Sequence, residues 1–142
     1  MKRIEEYRGL AANISLWIGD YVNKHDLKSL VVGVSGGIDS AVVSTLCAKT
    51  GIPTYCCTID VYSSDAVIKR AGRHIGWLEQ EYPNVYHHKY QLNNTYDTMV
   101  ENLRSTNPLS EANIKSRLRM ITLYNVATMT NGIVVGTGNK VE

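Results

Sequence analysis

The fold is decided by one stretch in the first third of the chain, Leu30-Val-Val-Gly-Val-Ser-Gly-Gly-Ile-Asp-Ser40. Its first half is a short, continuous apolar run, which is typical of a β-strand buried on both faces of a sheet. Gly36 and Gly37 then allow a sharp turn, and the residues from Asp39 to Lys49 have the pattern of a helix. The stretch therefore predicts a strand, a glycine loop and a helix in direct succession.

The same alternation extends through the rest of the chain. Apolar residues at steps of three and four predict helices over residues 2–24, 39–49, 65–82, 95–103 and 111–130. Runs rich in β-forming residues predict strands over 30–34, 54–59, 85–92 and 132–136. This order is typical of an α/β protein with a doubly wound parallel sheet, and 142 residues suit one domain. Ligands of such sheets lie beyond the carboxyl ends of strands, which here singles out residues 33–40 and 136–142.

Composition excludes several functional classes. The apolar fraction of 44% and charged fraction of 20% are those of a folded globular chain. A net charge of +2 is too weak to indicate a nucleic acid or an anionic membrane as partner. No apolar run approaches the roughly 20 residues that a bilayer requires, and the start of the chain is charged, so a cytoplasmic location is expected. The three cysteines lack zinc spacing and are expected to be small buried hydrophobes.

The glycine loop has the chemistry of a phosphate site. Its backbone N–H groups can approach an anion closely, and the helix that follows directs its positive end into the same space. Ser35 and Ser40 can add hydroxyl donors, whereas Asp39 would need Mg²⁺ between its carboxylate and a phosphate. The alternative is a plain glycine turn with a Ser/Asp helix cap. Neither the Walker A spacing nor the three-glycine dinucleotide fingerprint is present.

The segment Ser-Gly-Gly-Ile-Asp-Ser40 resembles the pyrophosphate loop of the ATP pyrophosphatase superfamily, whose fold is of the adenine nucleotide alpha hydrolase type. By itself this motif fits NAD synthetase, GMP synthetase, asparagine synthetase and tRNA-modifying enzymes equally well. Two further stretches, Asn113-Ile-Lys-Ser-Arg-Leu-Arg-Met120 and Gly136-Thr-Gly-Asn-Lys-Val-Glu142, are similar to motifs of the ammonia-dependent NAD synthetases. The chain would then be the N-terminal half of such an enzyme, a single nucleotide-binding domain truncated relative to the family.

The resemblance implies an activity and a set of site residues. The activity is ATP-dependent amidation of deamido-NAD by ammonia through an adenylylated intermediate, with Mg²⁺ as cofactor, in a homodimer. Arg117 would bind deamido-NAD, Asp39 and Glu142 would hold Mg²⁺, and no residue is assigned as catalytic. The residues expected to contact ATP are Gly33, Val34, Ser35, Gly36, Gly37, Ile38, Asp39, Ser40 and Thr137. Two alternatives stay open: another ATP pyrophosphatase, or a non-catalytic ATP-binding fragment or subunit. A separate C-terminal half is a candidate partner.

The predicted helix 111–130 is apolar on two sides, which indicates burial on both, either within the domain or between subunits. One stripe is Ile114, Leu118, Ile121 and Met129, and the other is Met120, Leu123, Tyr124 and Ala127. Arg119 falls on the polar arc between them and is expected to be solvated. Arg117 lies at the border of the arc and is expected to meet a buried anion or a carboxylate. The four histidines match no motif and are expected to serve packing.

Overall fold

Helices and strands alternate along the chain, as the sequence predicts. The computed structural model describes residues 6–139. The predicted helix over residues 2–24 begins at Tyr7 in the described part, where Glu6 caps it by accepting from the N–H of Gly9. In chain order the elements are α1 (Tyr7–Lys24), β1 (Ser29–Gly33), α2 (Ile38–Ala48), β2 (Thr54–Asp60), α3 (Asp65–Glu81), β3 (Val85–Gln91), α4 (Asn93–Leu103), α5 (Pro108–Met129) and β4 (Gly132–Val134).

The described strands form one parallel sheet in the order β3-β2-β1-β4. Val32 of β1 lies beside Cys56 of β2, and Leu30 lies beside Ile133 of β4. From β1 the chain winds outward to β2 and β3, and then returns across the sheet to β4. The direction of winding therefore reverses between β1 and β4, which is the point where doubly wound sheets bind their ligands.

Helices cover both faces of the sheet. On one face, Leu30 and Val32 pack with Ile18 of α1 and Cys47 of α2. On the other, Val31 and Cys57 pack with Val126 and Ala127 of α5, while α3 adds a further cluster on the first face. The prediction of a first strand buried on both faces is confirmed. Cys56 and Cys57 lie in clusters on opposite faces, as their adjacency in a strand predicts.

Capping explains the largest difference between an observed helix start and the predicted one in the described residues. Helix α5 begins at Pro108, three residues before the predicted start, because the Asn107 side chain accepts from the N–H groups of Leu109 and Ser110. The predicted cap at Ser64 is confirmed, since its hydroxyl accepts from the N–H of Val67 at 3.4 Å. Within residues 6–139 no helix is both long and apolar enough to cross a membrane.

Only one side of α5 is buried within the chain, so the first of the two predicted alternatives, burial of both sides inside the domain, is wrong. Ile114, Leu118, Val126 and Ala127 are buried. In contrast, Met120, Ile121 and Tyr124 are 45%, 60% and 60% exposed, because α5 lies over the outer face of the sheet and nothing in the described part of the chain packs above it. The outer apolar side therefore remains a candidate for contact between subunits.

Candidate functional site

The loop after β1 turns at Gly36 and is held close to α3. Gly36 has a φ of +83°, a conformation that favours glycine. A Cβ at this position would also lie only 2.8 Å from the carbonyl oxygen of Val67. Both the turn and the packing against α3 therefore require glycine here. Gly37 follows as the N-cap of α2 and contributes no side chain to the cap.

The hydroxyl groups of Ser35 and Ser40 bind polar groups of the loop itself. The N–H of Ser35 donates to Oγ of Ser40 at 3.2 Å, and the N–H of Gly37 donates to Oγ of Ser35 at 3.3 Å. These distances are at the long end of the range for hydrogen bonds. A phosphate oxygen would accept the same N–H groups in shorter, charge-assisted bonds. The loop therefore has the donors that a pyrophosphate group needs, close to the N-terminal end of α2.

The loop after β4 approaches the first loop at Asp39. The Asp39 side chain, in the first turn of α2, is half-buried, and its Oδ2 accepts from Nδ2 of Asn139 at 3.5 Å. Thr137 is half-buried in the same second loop. Glu142, the other predicted magnesium ligand, lies outside the described residues. The structure thus brings the two loops singled out from the sequence to one place, and it locates one of the two predicted metal ligands.

The donor set around Asp39 fits magnesium bound through a nucleotide. Within residues 6–139 no group of three or more His, Cys, Asp or Glu side chains could hold a metal ion. Mg²⁺ commonly takes one or two protein carboxylates and completes its octahedron with phosphate oxygens and water. A single described carboxylate beside a phosphate-type loop agrees with that mode of binding. It does not agree with a metal cage built from protein side chains alone.

A cavity of about 560 Å³ opens beside the first loop, at the carboxyl ends of β1, β2 and β3. Gly33, Val34 and Ser35 form part of its wall, and α3 supplies Val67 and Ala71. The volume lies in the range of small-molecule binding pockets. Gly36, Gly37 and Ile38 instead border a smaller hollow of about 280 Å³ next to α3. The loop therefore separates two spaces, and the larger one can hold a nucleoside.

Of the two arginines of α5, Arg119 does not have the predicted role. Arg119 is half-buried and lines the large cavity, with Nε 3.5 Å from the carbonyl oxygen of Ile59 and Nη2 3.4 Å from Oγ of Ser63. The prediction that it is a solvated charge is wrong, because α5 turns this position towards the end of β2. Arg117 is exposed and does not line the cavity, and its role toward deamido-NAD stays a prediction.

Sequence reasoning missed the polar residues at the ends of the second and third strands. Asp60 ends β2, with Oδ1 accepting from the N–H of Ser63 at 2.9 Å, and it lines the cavity. Lys89 and Gln91 of β3 line the same cavity. The sequence pattern could have indicated these residues, because the carboxyl ends of all parallel strands meet at one edge of the sheet. Polar residues at every strand end, not only those beside glycines, are candidates for this site.

His74, His87 and the three cysteines are buried or half-buried in the described structure. His74 and His87 contact the hydroxyls of Ser44 and Thr58, each at 2.9 Å from Nε2, and burial lowers the pKa of both rings. The three cysteines are buried and free, as the sequence predicts. Burial raises the pKa of each thiol to about 12, so none is a thiolate nucleophile at neutral pH.

Comparison with known sequences identifies relatives over nearly the whole chain. A family model described as NAD synthase matches residues 10–142. The chain is 35% identical over 132 residues to the NH(3)-dependent NAD(+) synthetase of Mycoplasma genitalium, covering 89% of this chain and 51% of the relative. It is 31% identical over 137 residues to the synthetase of the same description from Finegoldia magna, covering 96% and 55% respectively. The chain spans about half the length of the curated relatives it matches.

Solved structures agree with these sequence matches. A chain described as NMN synthetase from Francisella tularensis matches with a TM-score of 0.87 and 28% identity, over 96% of this chain and 56% of that one. The NH3-dependent NAD synthetase from Campylobacter jejuni matches with a TM-score of 0.86 and 26% identity, over 96% and 58%. Fold, loop geometry and sequence therefore indicate the same family. The glycine loop at the switch point between β1 and β4 is part of a larger likeness that runs through 133 consecutive positions, and on that basis this chain belongs to the NAD synthase family.

Proposed function

We propose that this chain carries the ATP-binding part of an enzyme that amidates deamido-NAD with ammonia to give NAD, AMP and pyrophosphate. The observation that carries the proposal is the loop after β1, which lies at the switch point of the sheet and forms part of the wall of a cavity of nucleoside size. The names of the relatives support the reaction, and they disfavour a GMP synthetase-like or tRNA-modifying enzyme.

The reaction needs ATP because the nicotinate carboxylate is a poor electrophile. One carboxylate oxygen attacks the α-phosphorus of ATP, and the bond to pyrophosphate breaks. Ammonia then attacks the acyl carbon of the adenylate, loses a proton and expels AMP. Both steps demand the positioning of reactants and the stabilisation of phosphate charge more than they demand a protein nucleophile. This agrees with the burial of the three cysteines, which raises the pKa of each thiol.

Each site residue predicted from the sequence, and Arg119, has a role in this proposal. The loop from Gly33 to Ser40 holds the phosphates, and Thr137 approaches them from the loop after β4. Asp39 and Glu142 would hold Mg²⁺, which when bound supplies positive charge to the phosphate oxygens. Arg117 would bind deamido-NAD. Arg119, which lines the cavity, would contact the nucleotide there.

A second candidate reaction uses a mononucleotide in place of the dinucleotide. The chain from Francisella tularensis, which is described as NMN synthetase, shares the fold of this chain with a TM-score of 0.87. The chemistry at the carboxylate would be the same for both substrates. The difference would lie in whether the site accommodates an adenylate attached to the pyridine nucleotide, so the two reactions must be compared directly.

The function is tested by supplying the substrates in parallel. ATP, Mg²⁺ and ammonia are combined with deamido-NAD, with nicotinate mononucleotide, with XMP or with tRNA, and AMP release is measured. We expect AMP release with a pyridine nucleotide, accompanied by formation of the corresponding amide. AMP release with XMP or tRNA, and none with either pyridine nucleotide, would overturn the proposed reaction.

We also propose a cytoplasmic location. The three free cysteines suit the reducing cytoplasm.

We further propose a two-fold dimer that covers the outer side of α5. Met120, Ile121 and Tyr124 form an exposed apolar strip on that side, which a symmetric partner could bury. We expect the chain to sediment as a dimer at tens of micromolar, and Ile121→Asp combined with Tyr124→Asp to give a monomer. Asn125→Asp, on the same exposed helix, is the matched control, and a wild-type monomer would contradict the dimer.

A further inference from the structure

The glycine loop is fixed from behind by one charged side chain of α3. Nε of Arg70 donates to the carbonyl oxygen of Gly36 at 2.6 Å. Among residues 6–139, this oxygen is the one hydrogen-bond acceptor that Arg70 contacts. The backbone of Gly36 is already close to α3, since a Cβ would lie 2.8 Å from the carbonyl oxygen of Val67 and 3.5 Å from the N atom of Ala71. The bond therefore acts on a peptide that has little room to move toward α3.

The geometry of the peptide carries this contact to the phosphate side of the loop. The carbonyl of Gly36 and the N–H of Gly37 belong to one planar peptide and point in opposite directions. A side chain that holds the carbonyl therefore also sets the direction of the N–H. That N–H now donates to Oγ of Ser35 at 3.3 Å, a long bond that a phosphate oxygen can replace.

Other contacts show that α3 supports the start of α2 as well as the loop. His74, one turn after Arg70 on α3, contacts Oγ of Ser44 at 2.9 Å, and the same hydroxyl donates to the carbonyl oxygen of Ser40 at 2.7 Å. Arg70 and His74 border the small hollow behind the loop together with Gly37. The contact from Arg70 is thus one part of a built support between α3 and the loop.

We propose that Arg70 is a positioning residue for the ATP site: by holding the carbonyl of Gly36, it directs the N–H of Gly37 toward a phosphate oxygen. This inference rests on the proposed function, because it assumes that the loop binds phosphates. A guanidinium suits the role, because its planar group donates in a fixed direction. Its positive charge also favours an anion on the other side of the same peptide.

The test compares variants of two arginines on one helix. Arg70→Gln removes the charge and the planar group, and Arg70→Lys keeps the charge. Arg73→Gln removes the same charge from a side chain that is exposed, as that of Arg70 is, three residues further along the same helix. Binding of magnesium pyrophosphate and of Mg·ATP to the 142-residue chain is measured by calorimetry. We expect Arg70→Gln to bind both about tenfold more weakly, as befits the loss of one well-directed donor to an anion. Arg70→Lys should recover part of that loss, and Arg73→Gln should stay within about twofold of wild type.

A second measurement reports on the peptide between Gly36 and Gly37. In the ligand-free protein, the amide NMR signal and the hydrogen exchange of Gly37 should change in Arg70→Gln and not in Arg73→Gln. An unchanged Gly37 amide, or equal binding by the two glutamine variants, overturns the role of Arg70 while leaving the ATP site intact. A wild-type chain that binds neither pyrophosphate nor ATP overturns the proposed function and this inference with it.

Discussion

The loops after β1 and β4 leave neighbouring strands at the same edge of the sheet, and both contain two glycines, but they are built differently. The first loop is packed against α3 at Gly36, starts a helix and forms a wall of the large cavity. In the second, a Cβ at Gly136 would meet nothing within 4 Å, and none of residues 136–139 line the cavity. Position 36 of the first loop therefore requires glycine. In the described structure, position 136 of the second loop does not.

The largest effect is expected from Gly36→Ala. Alanine would be strained at a φ of +83°, at a cost of about 1–3 kcal/mol, and its Cβ would press on the carbonyl of Val67. The loop must shift to relieve this contact, so several phosphate donors lose their alignment at once. We expect Mg·ATP binding to weaken about a hundredfold or more, as measured by calorimetry.

Gly136→Ala is the matched control for this change. Alanine has open space at that position, and the backbone there is not in a conformation that excludes side chains. Binding of Mg·ATP and the melting temperature should therefore remain close to the wild-type values. A loss of binding as large as that of Gly36→Ala would show that the second loop is as constrained as the first, and the distinction between the loops would fail.

The second-largest effect on Mg·ATP binding is expected from removing the carboxylate of Asp39, where the two loops meet. Asp39→Ala should weaken Mg·ATP binding about tenfold, because the carboxylate is expected to act through the cation. In the presence of EDTA the same variant should bind ATP no more weakly than wild type, since a carboxylate only repels a bare phosphate. Calorimetry with and without the chelator separates the two cases.

Asp65→Ala supplies the control for that prediction. Asp65 also lies in the first turn of a helix, α3, and its side chain is exposed. Removing its carboxylate changes the net charge of the chain equally and should leave Mg·ATP binding unchanged. Equal weakening of ATP binding by Asp39→Ala with and without metal would remove the metal-binding role from Asp39.

The difference between the loops also explains what could be predicted from sequence. The run from Leu30 to Val34 and the glycines after it predict strand, loop and location correctly, because burial on both faces and a tight turn leave few residue types suitable. The packing of Arg70 against Gly36 could not be predicted, since it depends on how α3 lies against the loop. Arg119 was misassigned for a similar reason: helical periodicity places residues around an axis, but it does not say which arc meets the ligand side of the sheet.

The smallest effect is expected at Arg119, on the cavity wall away from the loop. If a nucleotide bound at the first loop extends into the cavity, the guanidinium of Arg119, held near the carbonyl of Ile59, lies beside it. Arg119→Gln should then weaken Mg·ATP binding about fivefold, the worth of one half-buried charged contact, while leaving pyrophosphate binding unchanged. Arg117→Gln removes the same charge from the same helix outside the cavity and should not alter ATP binding.

Equal ATP affinity of the two variants would mean that the nucleotide stops at the loop, and the cavity would lose its role as the nucleoside site. Weaker binding of both ATP and pyrophosphate by Arg119→Gln would instead place Arg119 at the phosphates, and the cavity would then join the first loop in a single anion site.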